Sequence, residues 1–411
     1  MTEANQHPLD ATLVPSKNAS GDSAPVAAAS GNRRSTVLPR VEWNGDRPSV
    51  VPLQRERFEE LQPLGQGGMG EVLLLQDHDI QRTVALKRLT EATDLDRVLR
   101  FVEEIRTVGQ LDHPNIVPVH DVGIDERGRY YFLMKHLQGE TLESIISRLR
   151  QGDRAAHAQY PFQARVQLFL GVLHALSYAH RKGFIHRDLK PANIMVGPFG
   201  EVTVMDWGLA RRFRQPGAEA SSGQSPTSHD ASQALRESAS LLTQAGAVMG
   251  TPLYMSPEQA RGEHEKLDPR SDVYSLCVVF HELLFLRHYL EGRESMADIL
   301  GGVQTVLPGA EAITEHPAQP RVPAELGWFV LQGLAKDPAK RYGSVDAMVE
   351  ELQRIMSGRI QVHCQRTLMK HGLNTMLRYV DQHPKAVIIG STAVMSLFLA
   401  ALVQSVLKLF G

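Results

Sequence analysis

The sequence predicts an α+β chain of two lobes, a small β-rich lobe with one helix followed by a larger α-helical lobe, with a transmembrane-length apolar helix at the C-terminal end. Three observations carry this expectation. Residues 58–136 read as short apolar runs broken by glycines with a single stretch of helical period, whereas residues 137–355 hold repeated runs of helical period. His186-Arg187-Asp188-Leu189-Lys190-Pro191-Ala192-Asn193 packs an acid, two bases and a carboxamide into eight residues of the helical part. From Ala386 to Leu407 there are 22 residues without a charge. As a helix that stretch spans about 33 Å, enough to cross a bilayer core.

Composition sets the outer bounds. The chain has 411 residues, of which 22% are charged and 42% hydrophobic, as in a globular protein. A formal net charge of -2 gives no global field for nucleic acid, so no nucleic-acid partner is expected. Two cysteines, Cys277 and Cys364, suit a reducing compartment and cannot build a disulfide framework; each reads as a plain buried thiol. The first fifty residues lack the apolar segment of a secretory signal, and position 2 is Thr rather than the Gly of a myristoylation signal.

In chain order, residues 1–52 show no sustained period and read as a disordered arm. FEELQPLGQGGMGEVLLLQD, from Phe58, reads as strand, turn, strand, and TVALKRL as a third strand. LDRVLRFVEEIRTVGQL places Val98, Phe101, Val102, Ile105 and Val108 at helical spacing, and His113-Pro114 stops it. IVPVHDVGID and YYFLMKHL, joined by ERGR, read as a hairpin. Helices follow in TLESIISRLR and ARVQLFLGVLHALSYAH, then a strand pair around GPFGEV. Residues 214–245 form a Ser/Gly/Ala-rich insertion with seven Ser and two Thr. Helical runs resume in SDVYSLCVVFHELLF, MADILGGV, ELGWFVLQGL and VDAMVEELQRIM.

Several side chains point to phosphate and metal chemistry. In Gly65-Gln66-Gly67-Gly68-Met69-Gly70, missing Cβ atoms would let backbone N–H groups approach phosphate oxygens, although a glycine turn alone is also a plain hairpin turn. Lys87, fifteen residues after Val72, would lie on the strand below that loop and needs an anion to hold its direction. Glu104 on the following helix fits; Glu103, about 100° round the helix, is its competitor. Asp188 suits general-base or hydroxyl-orienting work, Lys190 can reach a transferred phosphoryl group, and Asn193 with Asp206 offers oxygens to Mg²⁺ (or Mn²⁺). Arg187 is placed to receive a phosphate, while His186 reads as a packing residue.

Taken together, GQGGMGEV, VALK, HPNIV, HRDLKPAN, DWG, GTPLYMSPE and SDVYSL, in that order, resemble the protein kinase superfamily. Within it the chain looks most like the bacterial eukaryotic-type serine/threonine kinases. The resemblance covers residues 58–355, with a small lobe at 58–136 and a large lobe at 137–355. It implies a bilobal kinase fold and transfer of the ATP γ-phosphoryl to Ser/Thr hydroxyls of protein substrates. It implies that Lys87 and Glu104 pair in the active state, that Asp188 is the catalytic base, and that Asn193 and Asp206 hold the metal. Lys190 and Thr251 mark Ser/Thr specificity. Met134 resembles the gatekeeper beside adenine, Leu64, Val72, Ala85 and Met195 line its pocket, and residues 135–137, ending at Leu137, form the hinge. Glu258 should pair with Arg341, and Asp272 should brace the catalytic loop. The chain departs from the family in Trp207, where most kinases have Phe, and in Lys135-His136 at the hinge.

The activation segment, 206–258, is long. Thr243, eight residues before Thr251, matches the family's activating threonine best, and its phosphate would pair with Arg187; trans-autophosphorylation would call for a homodimer. Residues 356–385 form a basic segment, with five Arg/Lys and one Asp between Ser357 and Lys385. Before the apolar stretch 386–407 this bias follows the positive-inside rule and predicts a single-pass cell-membrane protein with the kinase domain cytoplasmic. The competing reading of that stretch is a helix docked on the kinase domain. Competing readings of the whole are a pseudokinase scaffold and a small-molecule kinase; the first is opposed by the complete set of motif residues, the second by TPLYMSPE.

Overall fold

The computed structural model describes residues 36–51, 55–67, 70–90, 95–213, 251–307, 316–359, 361 and 365–410. Gly68, Met69, Thr243, Cys364 and the insertion 214–245 therefore lie outside the described residues, as does the side chain of Thr251.

Not all of the expected disordered arm is irregular. Strands β1 (Arg40–Asn44) and β2 (Arg47–Val51) form an antiparallel hairpin. Gly45 at its tip has φ 64°, a left-handed conformation that glycine adopts without a Cβ penalty. The hairpin is fastened to the small lobe where Asp79 accepts from the backbone N–H groups of Val37 and Leu38.

The small lobe is a five-stranded antiparallel sheet of β3 (Phe58–Gln66), β4 (Gly70–Asp77), β5 (Arg82–Leu89), β6 (Val119–Ile124) and β7 (Tyr130–Lys135), in the order β3-β4-β5-β7-β6. Val84, Ala85 and Leu86 are all buried, so β5 is covered on both faces, as a central strand must be. Helix α1 (Leu95–Val108) docks through Phe101, which is fully buried and packs on Phe132 at 5.5 Å between ring centroids. Glu104 lies one turn beyond Phe101 on that face, so apolar packing aims a carboxylate at the sheet.

The large lobe begins with β8 (Glu140–Thr141) and α2 (Leu142–Arg150), where Thr141 caps the helix by accepting from the N–H of Ser144. Then come α3 (Arg154–Gln159), α4 (Phe162–Arg181), β9 (Phe184–Ile185), β10 (Ile194–Val196), β11 (Val202–Val204) and β12 (Arg211–Arg212). Beyond the insertion lie α5 (Pro257–Ala260), α6 (Pro269–Phe285), α7 (Met296–Thr305), α8 (Ala324–Gly333) and α9 (Val345–Met356). Helix α6 is buried all round from Ser271 to Phe285, the mark of a central core helix. Phe169 of α4 stacks on Phe280 of α6 at 4.0 Å, and Phe329 of α8 meets both edge-on. Cys277 is buried here, and burial pushes its thiol well up, as for an unreactive core cysteine.

The lobes are joined through HPNIV. Asn115 donates to Val202 O and accepts from Val204 N through its own carbonyl, and Ile116 bridges to Val204. After α9 the basic segment folds into α10 (Gln365–Gln382), and α11 (Pro384–Phe410) follows. Pro384–Ser405 is long and apolar enough to cross a membrane, and none of it is buried against the protein.

Candidate active site

The site forms where β4 and β5 of the small lobe face the β10–β11 pair of the large lobe. On the small-lobe side, Lys87 Nζ lies 2.5 Å from Glu104 Oε1 and 3.7 Å from Asp206 Oδ1. Burial opposes the charge on Lys87, but Glu104 and Asp206 outweigh it and hold the ammonium above the usual lysine range. Of the two candidate partners, Glu104 is the one that reaches Lys87. The β4–β5 register sets Val72 opposite Lys87, and the β5–β7 register sets Ala85 opposite Met134. Leu64 on β3 is exposed, and Leu137 packs partly buried on the core. Gly67 N donates to Gly70 O, closing the glycine turn at 2.8 Å. Gly70 has no alternative: a Cβ there would stand 2.2 Å from Arg88 O, whereas at Gly65 and Gly67 it would meet nothing.

On the large-lobe side His186–Asn193 is an irregular loop ending in a short 3-10 turn at Pro191–Asn193. Asp188 Oδ2 accepts from Lys190 Nζ at 2.8 Å and from Asn193 Nδ2 at 3.2 Å, and Asn193 also donates to Asp188 O. Among the described residues both side-chain hydrogen bonds to the Asp188 carboxylate fall on Oδ2. Burial raises the Asp188 carboxyl, with Lys190 pulling against it and Asp206 adding to it. This brings the group toward a proton-accepting range.

Asn193 and Asp206 emerge side by side because Ile194 pairs with Val204 and Asn193 O accepts from Met205 N. The amide nitrogen of Asn193 is committed to Asp188, which leaves its oxygen as the available donor. Asp206 is half exposed; the local desolvation opposes its charge, but Lys87 and Lys190 hold its carboxyl below the usual range. One anionic and one neutral oxygen at the end of adjacent strands suit a hard divalent cation. Met195, between them in sequence, pairs with Thr141 across β8 and β10.

The loop is held from below by Asp272. Its Oδ2 accepts from His186 N at 2.8 Å and pairs with His180 Nε2 at 2.7 Å, and its Oδ1 accepts from Arg187 N at 3.0 Å. His186 is fully buried, and its ring lies 4.6 Å from that of Trp207, which shares a cluster with Val108. Trp207 Nε1 is buried without a hydrogen-bond partner among the described residues, a group that Phe would not carry. Arg187 donates to Leu209 O and meets His264 Nδ1 at 3.3 Å, and its carbonyl accepts from Gln259. Glu258 and Arg341 form a buried bidentate pair at 2.8 and 2.9 Å.

Sequence reasoning missed Gln259, His180, His264 and Asn115. Gln259 had a signal: Ser256-Pro257-Glu258-Gln259 is a capping box, and both of its bonds are present. Asn115 lies inside HPNIV, which marks its position but not its bond to Val202; His180 and His264 act across long sequence separations, and no local pattern marks them.

A lysine–carboxylate pair under a glycine turn, facing an Asp–Lys–Asn loop and a second acid, defines a bilobal phosphoryl-transfer domain. The chain belongs to the protein kinase family: the family model described as protein kinase domain matches residues 58–352. Among similar proteins, the serine/threonine-protein kinase PknD of Protochlamydia amoebophila is 31% identical over 76% of this chain and 31% of its own length. The probable serine/threonine-protein kinase SCO3848 of Streptomyces coelicolor is 34% identical over 74% of this chain and 40% of its own. PknB of Mycobacterium tuberculosis is 34% identical over 74% and 43%. The match therefore spans less than half the length of each of these relatives.

Proposed function

We propose that this chain is a serine/threonine protein kinase tethered to a membrane by α11. The observation that carries the catalytic part is the joint geometry of Lys87–Glu104–Asp206 and Asp188–Lys190–Asn193 across one cleft. ATP would lie with adenine near Ala85, Met134 and Met195 and its phosphates under the glycine turn. Lys87 would orient the phosphates. A substrate hydroxyl would place its proton on Asp188 Oδ1 as its oxygen bonds to the γ-phosphorus. The bond from that phosphorus to the β–γ bridging oxygen breaks, and ADP leaves with the oxygen. Lys190 would meet the charge on the moving phosphoryl group. Asn193 and Asp206 would hold Mg²⁺ or Mn²⁺, which when bound neutralises phosphate charge. Transfer of label from ATP to protein by the wild type, but not by Asp188→Asn, supports this reading; equal transfer by both refutes it, and absence of transfer by either points to a pseudokinase.

For regulation, Arg187 would receive a phosphate from the segment that includes Thr243, and Thr251 would help set the Ser/Thr choice. Thr243→Ala leaving both activity and phosphate count unchanged refutes the first. The tether rests on the length, apolarity and exposure of Pro384–Ser405. Equal solubility of the full chain and a truncation before Pro384 refutes it.

A further inference from the structure

Helix α10 faces the opposite way from an ordinary helix of a globular domain. It meets the kinase domain through polar atoms. Lys370 Nζ contacts both carboxylate oxygens of Glu325, at 3.0 and 3.1 Å. Asn374 Nδ2 and Arg378 Nη2 both donate to Gly358 O, and Thr367 is fully buried. Thr367, Lys370, Asn374 and Arg378 recur every three or four residues, so they form one stripe. The other stripe is Met369, Leu373, Met376 and Val380, with the same kind of spacing, flanked by Leu368, Leu377 and Tyr379. At about 100° per residue, Met376 points roughly opposite to Thr367. Met369 is 76% exposed and Met376 66% exposed. A surface helix normally buries its apolar stripe and shows its polar one; in α10 the two are exchanged.

The neighbouring helix indicates how the apolar stripe is covered. A single residue, His383, separates α10 from α11, and Pro384 removes one backbone donor there, which allows a change of direction. The segment from Ser357 to Lys385 carries five Arg/Lys against one Asp, and Tyr379 sits near the junction. A helix lying in a lipid headgroup layer is favoured by an apolar face, nearby basic charge and an interfacial aromatic; α10 supplies the first and the last, and Arg359, Arg366 and Lys385 of the surrounding segment add basic charge to the Lys370 and Arg378 already engaged with Glu325 and Gly358. We propose that α10 lies on the anionic lipid surface of the membrane that α11 crosses. The Met369–Leu373–Met376–Val380 stripe enters the acyl boundary, and the polar stripe holds Glu325 of the large lobe, and Gly358 in the turn after α9, against the bilayer. The kinase domain would then be seated on the membrane in one orientation rather than swinging on a tether. This rests on the reading of α11 as a membrane span.

The test uses the full-length chain in vesicles of phosphatidylcholine and phosphatidylserine, in a Cys364→Ser background with Cys277 buried. Single-cysteine variants Met376→Cys, Leu397→Cys and Glu350→Cys carry an environment-sensitive fluorophore, and the lipids carry a quencher at shallow or deep positions. Leu397 lies in α11, and Glu350 is an exposed position on α9. The expected result is deep quenching at position 397, shallow quenching at 376 severalfold above that at 350, and loss of the latter when Met369→Glu and Leu373→Glu are added. Quenching at 397 without quenching at 376 overturns the proposal and leaves the span intact. Absence of quenching at 397 overturns the span itself. Energy transfer between copies labelled at 376, without lipid quenching there, assigns the stripe to a second copy of the chain and also overturns the proposal.

Discussion

Asp272→Asn is the sharpest probe of how the large lobe holds the catalytic loop. The change is isosteric, yet Asp272 accepts three hydrogen bonds, from His186 N and His180 Nε2 on Oδ2 and from Arg187 N on Oδ1. An asparagine can keep its oxygen on the Oδ2 side, and its NH₂ group then confronts the N–H of Arg187. A lost charge-assisted bond is worth about 1.5–3 kcal/mol, and a buried donor left unsatisfied costs about 1–3 kcal/mol more. The expected destabilisation is thus about 3–5 kcal/mol, which in a domain of this size lowers the unfolding midpoint by on the order of 10 °C. Because Arg187 N precedes Asp188, the loop shifts and kcat falls by about 10²-fold. KM for ATP changes little, since Lys87, Glu104 and Asp206 are held by other segments. The acid limb of stability should change too. Burial raises the Asp272 carboxyl, but the bonds from His180 and the backbone outweigh it and hold it below the usual range. Its contribution is complete above the unfolded value, about 3.9, and is lost as pH falls through the native one, so the variant should lose less stability on acidification. Thermal unfolding against pH and steady-state phosphoryl transfer measure all of this. A midpoint and a kcat both equal to those of the wild type would refute the reasoning.

The same geometry sets three further outcomes. Lys87→Met leaves Glu104, 3% exposed, buried without its cation; phosphoryl transfer should fall by on the order of 10²-fold or more, read by label transfer at saturating ATP. Arg341→Met strands the Glu258 carboxylate and also removes bonds to Ala335 O, Arg270 O and Lys336 O. The cost should be about 3–5 kcal/mol by denaturant titration, whereas Arg148→Ala, in partly exposed pairs with Glu140 and Asp153, should cost about 1 kcal/mol or less. Gly333→Ala sets a Cβ 2.1 Å from Cys277 Sγ and should destabilise by about 1–3 kcal/mol, with partial rescue by Cys277→Ala in a double-mutant cycle.

Much of the site was legible because phosphoryl transfer needs few residue types at short spacings. Asp188, Lys190 and Asn193 lie within six residues, so one local loop brings them together, and the residues confirm one another. Glu104 against Glu103 was also readable, since the Phe101 face of α1 is the apolar one. The supports were harder. His180 reaches Asp272 across 92 residues and His264 reaches Arg187 across 77; such contacts depend on how helices dock, which periodicity does not report. The β1–β2 hairpin shows the opposite failure. Its two-residue Gly45-Asp46 turn is a hairpin signal, but the Ala/Ser/Pro-rich composition before it masked it. In the sequence the α10 region stands out only as a basic run, and its apolar face appears once the helix bounds are known.

The two residues that bracket the chemistry share a feature that explains why its supports lie so deep. Arg187 has φ 71° and Asp206 φ 56°, left-handed conformations in residues with a Cβ. Each costs about 1–3 kcal/mol and persists only where surrounding bonds over-determine it. At Arg187 the turn directs two successive N–H groups, of His186 and Arg187, onto one carboxylate, while its carbonyl takes the Gln259 amide. That arrangement turns Asp188 outward to the cleft. At Asp206 the conformation lets the carboxylate face Lys87 while the next residue, Trp207, buries itself on His186. Glycine would relieve either strain, but it would remove the guanidinium that reaches Leu209 and His264, or the carboxylate that meets Lys87. The strain therefore has to be met by the large lobe. At Arg187 the fully buried Asp272 on α6, a helix with no exposed face from Ser271 to Phe285, does this through the backbone bond it accepts there, and at Asp206 the burial of Trp207 against His186 does.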